Sequence, residues 1–492
     1  MLIPLKIPPG IYRNGTNYQA QGRWYDASLV RFFEGTIRPV GGWRRPLSGA
    51  VSGLARGMFP WRDYGTNRWV AIGTHSGLYI YNGGSLYNVT PSGFSSGRAD
   101  SLPGNGFGGG VFGTGAFGAA PVVVGVLDAT TWSFDNWGQY LVGCSNYDGK
   151  LYQWELNTGT IAAVISGAPT GCVATMVTAE RYQLALGASS NPRQIKWCDQ
   201  EVNTTWTPSS TNTAGDVELQ TNGRIRCGRR LPNEVLIWTD TDVHSLQYVG
   251  PPFIYAVRRV GGFCGIAGPN AVAVIEAGAA WMGGNGFFYY DGALRDIPCD
   301  VSDYVFGDIN LVQLAKVYAG HNSKFGEVWW FYCSSASDEV DRYVTWNYRE
   351  KTWNIGSLAR TCWADSGVFP YPMAVDASGY VYEHEYGWTN NGTAITTGRY
   401  ATSGPVELGT GEQIMAVRQM VPDEKTSGQV NMTFTTKFTP EGDTSSYGPY
   451  TPSAYTDMRF TGRQVAMQLL GATDADWRVG NIRLDAVAGG RR

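Results

Sequence analysis

Four stretches of this chain carry residue types that do chemistry elsewhere, and each is weighed first for what its spacing permits. Gly104-Asn-Gly106-Phe-Gly-Gly109 matches the glycine pattern that cradles a dinucleotide pyrophosphate. That loop works only between a strand and a helix whose N-terminus meets the phosphates, and no helical period follows it here. No Gly-x-x-x-x-Gly-Lys-Ser/Thr occurs, so a P-loop is also missing. Glu383-His384-Glu385 has the composition of an acid/base or metal cluster. On a strand, however, successive side chains point to opposite faces, so the trio cannot converge, and His384 is expected at a surface or an interface. His244, within Thr239-Asp-Thr-Asp-Val-His244, is expected to be a polar strand residue.

Ser145-Asn-Tyr-Asp148-Gly149 through Trp154 contains the letters of the Ser-x-Asp-x-Gly-x-x-Trp box of sialidase-type blades, at the wrong spacing. Those residues shape turns in any case, and a glycosidase needs two carboxylates facing across a cleft. The eight cysteines (144, 172, 198, 227, 264, 299, 333 and 362) are scattered beside apolar residues, with no Cys-x-x-Cys, and His75, His244, His321 and His384 stand apart. Free buried thiols, no disulfide, no metal and no cofactor are the expectation. No catalytic set emerges, so a non-enzymatic chain is expected.

The elements around these residues are short strands. Of 492 residues 43% are hydrophobic and only 16% charged, enough apolar material for several cores with a sparsely charged surface. Gly (65), Tyr (28) and Trp (18) favour strands with tight turns over helices. A net charge of −3 leaves no overall electrostatic footprint for gripping nucleic-acid phosphates. Prolines in Met1-Leu-Ile-Pro4-Leu-Lys-Ile-Pro8-Pro9-Gly10 break up any signal-peptide helix, and apolar runs such as Ala119 to Leu127 are too short to span a bilayer. Neither classical secretion nor stable membrane insertion is expected.

Residues 1–50 read as an N-terminal arm in which Arg23, Arg31, Arg38, Arg44 and Arg45 alternate with aromatic residues, suited to stacking guanidinium planes on rings or gripping a neighbouring subunit. The alternative is a first strand and loop docked on its own domain. Across residues 51–395 one unit recurs: an apolar strand, a turn, an aromatic strand, then Asn-Gly or Asp-Gly. The clearest copies are Trp69–Gly83, Tyr140–Trp154, Ala280–Gly292 and Val328–Tyr348. Seven such segments with a period of roughly 45 residues predict an all-β fold, a β-propeller of six or seven blades. Two stacked β-sandwiches are the competing reading. Residues 97–120 interrupt the pattern with a Gly/Phe-rich insertion whose Phe107, Phe112 and Phe117 are the candidate contacts to a partner or a gate. Residues 396–492 alternate at period two, as in Val430–Phe438 and Arg463–Leu469, and predict a C-terminal β-sandwich.

Function enters through a resemblance. Glu180-Arg181-Tyr182 with Leu186-Gly187, Ile195–Asp199 with Trp206, Ala214-Gly215, Leu236–Asp240, Gly283–Gly292 and Asp308–Asn310 resemble, in order, the tail nozzle proteins of short-tailed bacteriophages, the podophages. Gly22–Asp26, Pro39–Trp43, Gly462-Arg463, Trp477–Gly480 and Gly489–Arg492 extend the likeness over nearly the whole chain. These are packing and turn motifs, specific as a set and weak singly. The resemblance implies a virion protein assembled in the host cytoplasm as a hexameric ring of the tail tube. It would sit below the adaptor ring, contact tail fibre or needle proteins, retain packaged DNA, and pass double-stranded DNA without reading its sequence. No small-molecule substrate is implied. A receptor- or carbohydrate-binding tail protein is the alternative, with Trp329, Trp330 and Trp388 as stacking residues, and a glycan-degrading enzyme is a weaker one.

Overall fold

The computed structural model describes residues 2–104, 125–409, 413–423, 428–439 and 442–489. Phe107, Phe112 and Phe117 lie outside the described residues, as does all but the first glycine of the Gly104–Gly109 pattern.

The chain is all-β. Seven four-stranded antiparallel sheets follow one another, built from strands adjacent in sequence, except that the last takes one strand from the N-terminal region. The second sheet is typical: Trp132–Trp137, Tyr140–Ser145, Leu151–Trp154 and Ala163–Val164 pair in that order. Local chemistry sets the turns. Gly83 and Gly84, at φ 56° and 84°, form the two-residue connection between Leu78–Asn82 and Ser85–Asn88, a backbone conformation that a β-carbon would strain.

The sheets meet through their first strands, which are Ala55–Arg62, Trp132–Trp137, Ala174–Val177, Ile225–Arg230, Val272–Ile275, Tyr318–Asn322 and Cys362–Ala364. Ala55–Arg62 lies against both Trp132–Trp137 and Cys362–Ala364, and Tyr318–Asn322 lies between Val272–Ile275 and Cys362–Ala364. Two of the seams are indole on glycine. A β-carbon on Gly57 or Gly73 would stand within 2.7 Å of Trp132, and one on Gly320 within 2.6 Å of Trp363. Each indole also donates its N–H across its seam, Trp132 to the Thr74 carbonyl at 2.8 Å and Trp363 to that of His321 at 2.9 Å.

The β-propeller of six or seven blades is corrected here. The sheets are separate and unclosed, and no ladder of backbone hydrogen bonds runs from one into the next. Side chains join them instead: Trp132 and Trp363 fill the space over glycines of the neighbouring sheet, and Ser133 and Asp135 accept from the backbone N–H groups of Thr175 and Val177.

The two ends of the chain are interlocked. Trp43–Arg44 pairs with Val381–His384 as the fourth strand of the seventh sheet. Leu2–Leu5 pairs with Ile482–Ala488, and Trp24–Ser28 with Tyr400–Ser403. These last strands belong to two further sheets that share one core, where Phe434 stacks on Phe460 at 5.5 Å. The inner positions of Val430–Lys437 are buried at every second residue, the signature of a half-buried strand. All five arginines singled out near the N-terminus lie over rings: Arg23 on Tyr12, Arg31 on Phe325, Arg38 on Phe33, Arg44 on Tyr386 and Arg45 on Tyr380.

The eight cysteines are free, seven of them buried, and burial pushes the thiols of Cys227 and Cys264 up to about 11.

Candidate functional site

The first strands of all seven sheets contribute to one cavity of about 330 Å³. Its walls mix apolar side chains such as Met58, Phe134 and Trp363 with Asp135, Arg229 and Arg230. The polar groups are positioned by backbone. The Asp135 carboxylate accepts from the N–H groups of Val177 and Asn136, both at 2.8 Å. Burial still pushes its pKa up, with those donors and the two arginines pulling the other way. Arg229 donates to the carbonyls of Gly228 and Pro269 and to the Asn270 side chain.

The two roots of the Gly/Phe insertion are held together outside the cavity lining. Leu102 and Leu127 bridge each other, and the Ala129 N–H donates to Ser101 Oγ at 2.9 Å. The paired roots then reach outward. Ser101 exchanges two hydrogen bonds with the side chain of Gln313. Lys316, fully buried, donates to Asp100 at 2.5 Å, and Arg226 donates to Asp128 at 2.6 Å with Arg224 at 3.4 Å from the same oxygen. Arg226 shares its strand with the cavity-lining Arg229, and Lys316 stands two residues before the cavity-lining Tyr318. The roots therefore form a strap tied by acid–base pairs to the lead-ins of the fourth and sixth sheets. Arg56, itself buried, donates to Glu339, whose carboxylate is 3.7 Å from Lys316.

The motifs weighed for chemistry are not brought together. Tyr152 donates to Asp148 inside its own turn region. His384 is not at a surface: it is 1% exposed, because its strand is covered on both faces. Its Nε2 accepts from Arg360 Nε at 2.8 Å, and burial, then the Arg360 charge, push its pKa well below the ordinary value. Glu383 turns to Arg44 and Glu385 to Arg31, so the trio does not converge; Glu385 lies past the end of the strand Val381–His384, at φ 58°. His244 is buried beside Asp242 at 3.2 Å. Trp329 and Trp330 are buried at 2% and 0% exposure and cannot stack on a sugar; only Trp388 of that trio is partly exposed. Among the described residues no group of three His, Cys, Asp or Glu side chains is disposed to hold a metal. The strap's acids were missed in the sequence. Their signal was available, since Asp100 and Asp128 bracket the glycine run on either side.

No family model and no curated protein matches this chain. Among solved structures, one titled a streptogramin B lyase structure is similar at 9% identity and a TM-score of 0.40, over 70% of this chain and 96% of that one. A virginiamycin B lyase from Staphylococcus aureus gives 8% and 0.40, over 67% and 94%. A protein titled glycoside hydrolase gives 7% and 0.28, over 90% and 100%. Likenesses this low carry no functional argument.

Proposed function

We propose that the chain is a non-enzymatic structural subunit of the tail tube, or nozzle, of a short-tailed bacteriophage. In this reading it is assembled in the host cytoplasm into a hexameric ring of the virion tail, against the adaptor ring and the fibre or needle proteins. The ring is a conduit for double-stranded DNA at ejection and helps to retain it before then. The order of motifs from Gly22 to Gly489 resembles this family, and one surface feature supports the reading most. Asp242–Gly250 and Ile254–Gly262 form a hairpin that outruns its sheet: beyond Leu246 neither strand has a third partner. Its tip carries Tyr248, Val249 and Phe253 at 40%, 53% and 77% exposure. A contiguous apolar tip on a projecting ribbon suits burial against another subunit, where each side chain would gain about 1.5–3 kcal/mol. The interlocked ends fit the same role, since a tube subunit must bear load without fraying.

Phe107, Phe112 and Phe117 are assigned to a gate or a neighbour contact, presented from the strap whose roots are fixed by Asp100 and Asp128. Sedimentation and negative-stain imaging of the purified chain test the reading. A hexameric ring is expected, and Val249→Ser with Phe253→Ser is expected to release monomers that keep the wild-type circular dichroism. A wild-type chain that stays monomeric at high concentration, or a mature virion lacking it, overturns the proposal. Serine at all three phenylalanines is expected to reduce DNA retention or infectivity with the fold intact.

A further inference from the structure

Phe263 is 99% exposed and stands at φ 60°, in the left-handed region where a bulky residue is an outlier. Strain of this kind persists only where the surroundings over-determine it, and it gathers at ligand clamps. The surroundings here do so. Gly262, just before Phe263, is in register with Asp242 at the end of the hairpin, and Cys264, just after it, is buried with its carbonyl held by the Trp281 indole at 2.8 Å. The backbone is thereby fixed so that Phe263 stands at the rim of a cleft of about 720 Å³, within the roughly 300–1,000 Å³ of small-molecule sites.

The cleft is furnished with planar polar groups. Gln220, Asn222 and Asn285 line it, all exposed, and among the described residues their carboxamides make no side-chain hydrogen bond within the chain. Asp242 anchors the floor: its carboxylate is 2% exposed, accepts from Thr221 Oγ1 at 2.9 Å and Thr239 Oγ1 at 2.6 Å, and forms an ion pair with Arg259, whose Nε stands 3.0 Å away. Arg259 commits Nε to that pair, while its side chain is 57% exposed at the cleft. Phe288, buried at 8% exposure and stacked on Trp281 at 5.7 Å, closes the apolar side of the wall.

We propose that this cleft binds a neutral oligosaccharide, one sugar ring stacking on Phe263 and its vicinal hydroxyls bonding to Gln220, Asn222, Asn285 and the outer edge of Arg259. The chemistry selects that class. A sugar has an apolar C–H face that suits an exposed aromatic ring. Its paired hydroxyls both donate and accept, as carboxamides do. Arg193 and Arg259 are offset by Asp240 and Asp242 in the same cleft, so the site does not select an anion. A protein partner would be better served by an apolar patch than by three free carboxamides around one ring. The proposal concerns binding alone and does not depend on the tail-tube reading, which is tested by assembly.

The experiment is an array of neutral oligosaccharides probed with the full chain, followed by calorimetry on the best glycan, with inorganic phosphate as the anion control. One glycan per chain is expected. Phe263→Ser is expected to weaken it at least tenfold and Asn285→Ala several-fold, with unchanged circular dichroism and oligomeric size. A silent array, binding of phosphate alone, wild-type affinity in Phe263→Ser, or a change of oligomeric size in that variant each overturns the proposal, the last by making Phe263 a subunit contact.

Discussion

Arg31 and Asp242 are both charged and almost wholly buried, yet the sites built around them end differently. Arg31 donates Nε and Nη2 to Glu327 and both terminal nitrogens to Glu385, and the Phe325 ring covers its face at 3.6 Å. The partners are satisfied too: Trp329 donates to Glu327, while Asn322 and the Gly41 N–H donate to Glu385. Against the upward push of burial, Arg31 holds Glu385 below its usual range, and burial leaves Glu327 above its own. Asp242 is held low in a similar way, by hydroxyls and His244, but its cation Arg259 faces outward into a cleft of unbonded carboxamides beneath a strained, exposed ring. Burial of charge alone therefore does not separate the two: the Arg31 centre is closed on itself, and the Asp242 cleft leaves open valence next to backbone strain.

The contrast breaks most directly at Glu327. Glu327→Ala leaves a buried guanidinium with only Glu385 and frees the Trp329 indole, so a stability loss of about 3–5 kcal/mol is expected by denaturant unfolding. A loss under about 1 kcal/mol would mean that the Arg31 centre has slack and is not closed as described.

How much of this could be read from the sequence differs by length scale. Meander units and their turns were legible because they are local: an aromatic strand followed by Asn82-Gly83 or Asp148-Gly149 announces its own geometry, and Gly83 and Gly149 do stand at positive φ. The way the sheets join was not legible, since it depends on Trp132 meeting Gly57 and Gly73, residues far apart in the chain. The same holds for Arg31, whose carboxylates lie 296 and 354 residues away. His384 was misplaced because period-two alternation says which residues share a face and not whether that face meets solvent. Phe263 gave no sign at all; one phenylalanine among 19 becomes notable only once its φ and exposure are known.

A third arrangement sharpens the comparison by removing the carboxylate altogether. Arg360 is 5% exposed, lies over Tyr382 and Trp43, and bonds to His384 Nε2 and the Ala359 carbonyl; burial lowers its pKa to about 10. Accepting from a cation, His384 must be neutral. Its folded pKa lies below the unfolded value of about 6.5, so between the two the unfolded chain binds a proton that the folded chain refuses. The His384 contribution is therefore fully present above that unfolded pKa and is lost progressively as pH falls towards the folded one. Thermal melts between pH 5 and 8 are expected to fall on the acid side, and His384→Asn to flatten that fall. Arg360→Met should flatten it only partly, because burial remains the larger cause. A fall unchanged in His384→Asn would move the titration to another group.

The smallest effect expected is also the one that separates the two centres in sign. Removing a group from the Arg31 centre must cost stability, because each group there is someone's partner. Removing the Phe263 side chain should not. The ring is 99% exposed, so no burial is lost, while its left-handed backbone costs about 1–2 kcal/mol that glycine does not incur. Against that relief stands the greater freedom of glycine in the unfolded chain, worth about 0.4–1 kcal/mol. Phe263→Gly is therefore expected to raise stability by about 0.5–1 kcal/mol in denaturant unfolding. If it does so while abolishing glycan binding, the strain is held for the ligand. If it lowers stability, the ring is packing that the exposure conceals, and the cleft resembles the Arg31 centre after all.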